Sequence, residues 1–205
     1  MLRFSCTGTF DAERIKQGFG TYVWMGLANE EEPDGEKVEK ARFEGNYKDG
    51  LKTGFGKMVY PNGDIYEGEW VENDMQGEGT YTYKKTGDIF VGSWFAGKKH
   101  GKGSYYFGAD SSQMTGTWEN GQILAGSWTL KDCSVYTGEF KLGRPYGAGK
   151  FDFAGGLSQS GAYEEFKTED EEEPAEGDPP KPPNVAWKGT SIVSFSNPGV
   201  AVDGV

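Results

Sequence analysis

The chain has 205 residues, of which 35% are hydrophobic and 15% aromatic, with 33 glycines and a formal net charge of −11. Aliphatic residues this sparse do not suit a two-layer aliphatic core; one domain, or one domain with a tail, held by aromatic packing fits better. The acids concentrate in Asn29–Lys40 and Glu164–Asp178, leaving a near-neutral body without a compensating basic stripe, so a nucleic-acid or anionic-membrane partner is not expected.

From the N-terminus, "MLRFSCTGTF" lacks the apolar stretch of a signal peptide, and no apolar run approaches the length of a membrane span. Cys6 and Cys133 lie far apart. The simplest expectation is a reduced, cytoplasmic protein with unpaired thiols.

A first repeat is marked by Gly8, Phe10 and the Gly18/Gly20 pair, and the acidic insert of about 26–41 follows it. The pattern then recurs at Gly45, Gly68, Gly92, Gly116, Gly138 and Gly161, at spacings of 23, 24, 24, 22 and 23 residues. Two residues after each comes an aromatic: Tyr47, Trp70, Trp94, Trp118, Phe140 and Tyr163. Nine residues after most of them comes Gly-x-Gly: Gly54/Gly56, Gly77/Gly79, Gly101/Gly103 and Gly147/Gly149. The unit after Gly116 is degenerate, with Leu124 and Gly126 in place of the pair, and the one at Gly161 is half a unit.

Each unit predicts two short strands. Side chains alternate between faces along a strand. That places Tyr66, Gly68 and Trp70 on one face, with Gly77, Gly79 and Tyr81 of the next strand. Phe90, Gly92 and Trp94, and Tyr136, Gly138 and Phe140, repeat the pattern. A glycine between aromatics leaves a notch into which a ring from a neighbouring strand fits. Turn signals such as "PNGD" (61–64) and "KTGD" (85–88) connect the units. The fold expected is all-β: an elongated, single-layer, twisted antiparallel sheet of hairpins over 1–163, then an extended tail.

"YEGEWVENDMQGEGTYTY" resembles the MORN repeat, and the resemblance covers about residues 6–163. The C-terminal half is similar to the radial spoke head MORN proteins of motile cilia, of the protein 10 and protein 1 type. It runs "YTGEFKLGRPYGAGKFDF", "QSGAY", a Glu-rich stretch, then "PPKPPNVAWKGTSI". This resemblance implies a non-enzymatic scaffold in the spoke head of the axoneme, within the cytoskeleton of the cilium. It further implies binding to a second MORN protein and to spoke-head proteins of the 4/6 type, with transient central-apparatus contact. Such a head helps carry signals between the central pair and the dynein arms. Other relatives of the repeat suggest an alternative, a membrane-junction or phosphoinositide-linked adaptor.

The remaining motifs read as structural. His100 is the only histidine, so a two-histidine mechanism is excluded, and it reads as a loop residue before Gly101. Neither a nucleophile constellation nor metal-ligand spacing is present, and "GKKHGKGS" (97–104) lacks the phosphate-loop spacing. No catalytic residue, metal or cofactor is expected. Residues 164–183 read as an acidic and then proline-rich linker that cannot form a packed core, with Glu171, Glu172 and Glu173 exposed. In 184–205, the apolar Trp187, Ile192, Val193 and Phe195 stand in a polar tail. That segment either docks on a partner's sheet edge or folds back on the chain's own sheet.

Overall fold

The computed structural model describes residues 4–28, 36–166 and 180–194, with the side chains of 4–6 left out. No described residue is helical. The chain forms a single open antiparallel sheet of consecutive hairpins. The strands are β1 (Phe4–Phe10), β2 (Lys16–Leu27), β3 (Lys37–Lys48), β4 (Leu51–Val59), β5 (Ile65–Val71), β6 (Asp74–Thr82), β7 (Ile89–Phe95) and β8 (Lys98–Tyr106). They continue with β9 (Gln113–Glu119), β10 (Gln122–Thr129), β11 (Val135–Lys141), β12 (Arg144–Phe153), β13 (Leu157–Glu165), β14 (Val185–Gly189) and β15 (Val193–Ser194). Sheet order follows chain order from β1 to β14, and β15 pairs with β13.

Contacts divide the chain into two compact units. One runs to Ser111 and includes Trp118–Gly121; the other takes Ser112–Thr117 and everything from Gln122 onward. In the first, Phe43, Tyr47, Tyr66, Trp70, Phe90, Trp94 and Trp118 are buried on one side of the sheet. In the second, Tyr136 and Phe140 take that role together with Met114 and Ile123. A core of one aromatic file is what the scarcity of aliphatic residues demands, because each ring removes roughly 150–250 Å² from water.

Hairpin geometry follows from turn chemistry. Glu72–Asn73, Ala96–Gly97, Asn120–Gly121 and Leu142–Gly143 all carry positive φ at both positions. That is the type I′ turn, whose twist matches the flanking strands. Each of the first three turns also reaches back to the preceding hairpin: Asn73 N–H donates to Lys52 O, Gly97 N–H to Met75 O and Gly121 N–H to Lys99 O. Successive repeats are thereby latched at their turns as well as paired along their strands.

Three segment boundaries differ from those drawn by composition. Residues 26–27 and 37–41, placed in the acidic insert, belong to β2 and β3, where Gly26 pairs with Val38 and Leu27 with Lys37. Residues 164–165, placed in the linker, belong to β13. Composition marks where acids cluster, but backbone pairing carries through exposed acidic positions because their side chains face water. His100, read as a loop residue, lies within β8, exposed, its ring 5.7 Å from that of Phe95.

Candidate interaction surface

The two glycines of each Gly-x-Gly do different work. The second pairs with the repeat's marker glycine across the hairpin: Gly45 with Gly56, Gly68 with Gly79, Gly92 with Gly103, Gly138 with Gly149. The first adopts left-handed φ, +61° at Gly54, +67° at Gly77, +65° at Gly101 and +63° at Gly147. A register shift follows the marker glycine in each of these hairpins, and residues of the Gly-x-Gly strand drop out of the pairing. This is a β-bulge, with glycine supplying the φ that an L side chain resists. The bulge turns the first glycine toward the opposite face, where a Cβ on Gly77 would sit 2.7 Å from the Glu69 carboxylate carbon. Strict alternation, which put both glycines on the aromatic face, therefore fails at the first one.

The notches are not filled from a neighbouring strand. The ring that fills each notch comes from the marker glycine's own strand, two residues earlier, and leans across to the partner strand. Cβ atoms on Gly45 and Gly56 would lie 2.7 and 2.6 Å from Cζ of Phe43. Tyr66 covers Gly68 and Gly79 in the same way, and Tyr136 covers Gly138 and Gly149. Phe90 covers Gly103. Paired glycines let one ring lie flat across two backbones, and Phe43, Tyr66, Phe90 and Tyr136 are each 0% exposed.

Next in the file stands the aromatic two residues after the marker glycine. Tyr66 meets Trp70 and Trp94 edge-on, with ring centres 5.1 and 5.3 Å apart, and Phe90 meets Trp94 and Trp118 likewise at 5.3 and 5.1 Å. The tryptophans also tie repeats together by hydrogen bonds. The Nε1–H of Trp70 donates to Gly56 O at 3.2 Å, that of Trp94 to Gly79 O at 3.2 Å and that of Trp118 to Gly103 O at 3.0 Å. Phe140, without an N–H, takes the tryptophan's place in the second unit. Gly116 there faces Gly126, and Met114 stands where other repeats carry the covering ring. Ile123 is buried as well, 2% exposed, and the repeat pattern singles out neither aliphatic residue.

Two further sets of residues complete the surface without being marked by the glycine and aromatic pattern. The first lies two positions before Gly-x-Gly: Lys16, Lys52, Met75, Lys99 and Pro145. Lys52 Nζ lies 4.6 Å from the centre of the Trp70 ring, and Lys99 Nζ lies 4.7 and 4.9 Å from those of Tyr105 and Trp118. Lys16 Nζ stands 3.3 Å from the Tyr22 ring centre. Their stems cover the file as Met75 does, while each ammonium sits over π faces. Burial, the largest influence, holds Lys52 and Lys99 below the ordinary lysine pKa; Lys16 adds to this for Lys52, while Asp74 and Asp88 oppose it.

The second set closes the open end of the first unit's hairpins. Asp64, 8% exposed, accepts from the Tyr81 hydroxyl at 3.0 Å, from Lys84 N–H at 2.8 Å and from Asn62 Nδ2 at 2.8 Å. Asp88 accepts from the Tyr105 hydroxyl at 2.7 Å and from Gly108 N–H at 2.8 Å. Burial works against the Asp88 carboxylate, but the Tyr105, Gly108 and Thr86 donors outweigh it and hold its pKa below the usual value. Burial first, and then the Asp88 hydrogen bond, raises Tyr105 in turn. Both aspartates appear in the turn signals "PNGD" and "KTGD", and their recurrence at one repeat position was the available clue.

The MORN repeat family matches residues 43–65, 66–87, 90–111 and 136–158. The chain carries four MORN repeats. The stretches outside the match still form hairpins: β1–β2, the degenerate β9–β10 and the last, β13–β14. Among solved structures the chain is similar to the TCP domain of SAS-4 (dCPAP) of Drosophila melanogaster, in complex with a proline-rich motif of Ana2 (dSTIL). Identity is 14%, the TM-score 0.42, and the match spans 78% of this chain and 77% of that one.

Of the tail residues proposed for partner binding, Trp187 lies on β14 against the chain's own sheet. Its ring centre is 5.1 Å from that of Tyr163 and 5.0 Å from that of Phe151. Ile192 and Val193 are both 56% exposed. Phe195 and Glu171, Glu172 and Glu173 fall outside the described residues. No group of acidic, His or Cys side chains among the described residues is arranged to hold a metal. The aromatic rings that the sheet leaves open to another protein segment are not those of the file but Phe19, Phe55 and Phe95, which are exposed. The four MORN repeats suggest a protein-interaction scaffold.

Proposed function

We propose that the chain is a non-enzymatic scaffold subunit of the ciliary radial spoke head, helping transmit signals between the central pair and the dynein arms. The reading is supported by the order of its C-terminal half: the full repeat "YTGEFKLGRPYGAGKFDF", "QSGAY", a Glu-rich stretch, then "PPKPPNVAWKGTSI". That order resembles the spoke-head MORN proteins. On this reading its partners are a second MORN protein and spoke-head proteins of the 4/6 type, and its place is the axoneme. The acidic insert and Glu171–Glu173 then keep the head from adhering to the central apparatus by like-charge repulsion, which salt weakens.

The test is extraction of axonemes carrying a tagged copy. Co-fractionation with spoke-head subunits is expected, and absence from the axoneme would overturn the reading. Sedimentation with anionic liposomes should leave the protein in solution; pelleting would favour a membrane adaptor instead.

A further inference from the structure

The last hairpin differs from the two before it in its connection. β9–β10 and β11–β12 are closed by two-residue turns, Asn120–Gly121 and Leu142–Gly143. Between β13 and β14, the pairing resumes at Phe166 N–H to Asn184 O, 3.0 Å, so 17 residues separate the two ends. Residues 185–194 then cover the edge of β13 along its length: Val185–Gly189 pair with Glu165–Gly161, and Val193–Ser194 with Ser158–Leu157.

This segment supplies what a full repeat would. Trp187 lies over Gly161, where a Cβ would sit 2.7 Å from the ring. Its Nε1–H donates to Gln159 Oε1 at 2.9 Å, and Gln159 Nε2 donates to Thr190 O at 2.7 Å. Thr190 N–H reaches Ser160 O at 2.8 Å. All of these contacts form between β13 and a strand that only its tether assigns to the same chain. Seventeen residues can span up to roughly 60 Å when extended, well beyond the few ångströms between paired strands.

We infer that 185–194 is an exchangeable strand and that the β13 edge of one copy accepts 185–194 of a second copy. An exchanged pair makes the same hydrogen bonds and the same Trp187 contacts as the closed monomer. The balance is then set by protein concentration against the effective concentration of the tethered strand, on the order of millimolar. Exchange is thus weak in dilute solution and favoured wherever copies are held side by side.

Glu165 and Val185 face each other across the pair, and opposite residues of antiparallel strands lie about 4.5–5.5 Å apart at Cα, which a disulfide bridges. In a Cys6→Ser, Cys133→Ser background, one full-length chain carries Glu165→Cys and another Val185→Cys. After oxidation the mixture should yield a disulfide-linked heterodimer, and raising each chain from about 10 to about 100 µM should increase its fraction roughly tenfold. The chain carrying both substitutions should close within itself. The inference is overturned if that chain closes internally while the mixed chains stay monomeric at both concentrations. Light scattering on the unmodified chain is the second readout: no dimer after days at about 100 µM overturns it whatever the thiols do.

Discussion

Replacing Gly79 with alanine tests the ring-over-glycine arrangement directly. A Cβ there would lie 2.6 Å from Cε2 and 2.7 Å from Cζ of Tyr66, nearer still to its hydroxyl, and Tyr66 is 0% exposed with nowhere to retreat. Gly79 has no positive φ, so alanine meets no backbone penalty and the cost is steric alone. Overpacking of this kind costs roughly 1–3 kcal/mol. For a chain of this size 2 kcal/mol corresponds to about 4–8 °C in melting temperature. Urea titration followed by tryptophan fluorescence gives the midpoint shift. Gly155→Ala, where a Cβ meets nothing within 4 Å, is the matched control and should stay within about 0.5 kcal/mol. In a Tyr66→Leu background the ring is gone, and Gly79→Ala should lose at least 1 kcal/mol of its cost. A Gly79→Ala penalty equal to that of the control, or one that adds fully to Tyr66→Leu, refutes the reasoning.

Ala96, at φ 47° in a type I′ turn, should gain about 0.5–1 kcal/mol on replacement by Asn, read as a rise in melting temperature. Lys99→Met matches Met75 at the same repeat position and removes a desolvated ammonium; a gain of about 0.5–2 kcal/mol at pH 7 is expected, and a loss would mean that the stacked charge outweighs its desolvation. Burial, and then Tyr163 and Glu139, push Tyr136 up to about 12 from an unfolded value near 10. The stability this group contributes is complete below pH 10 and is lost as pH rises through 12, so phenolate absorbance at 295 nm should lag a free-tyrosine curve until the second unit opens. Trp70→Phe keeps a ring but leaves Gly56 O without the indole donor; a cost of about 1–2 kcal/mol is expected from thermal melts.

The repeat was legible because Gly68, Trp70 and their counterparts recur at nearly constant spacing, and a period of two within each segment names strands. The bulge was not: period-two counting has no means of registering residues dropped from the pairing, and so it places Gly77 on the wrong face. The source of the covering ring was hidden for a related reason. Alternation says that Tyr66 and Gly68 share a face, but not that the ring bends forward along its own strand instead of leaning in from another. Lys52 and Lys99 look like surface residues by type, and only their recurrence before Gly-x-Gly, interleaved with Met75 and Pro145, hinted at a covered position. Met114 and Ile123 were missed because the pattern was defined by aromatics.

The turn latches have a consequence for how such a chain changes length. Asn73 holds Lys52 and Gly97 holds Met75, each one repeat back. Trp94 likewise reaches Gly79 as Trp70 reaches Gly56. Removal of residues 66–89, one whole period, would bring Trp94 to Gly56 and Gly97 to Lys52 with every donor meeting the same kind of acceptor. Removal of any fraction of a period would strand both. Within the first unit the fold is therefore quantised: it can be lengthened or shortened in whole steps, and a ruler of this kind sets the distance between whatever its two ends hold.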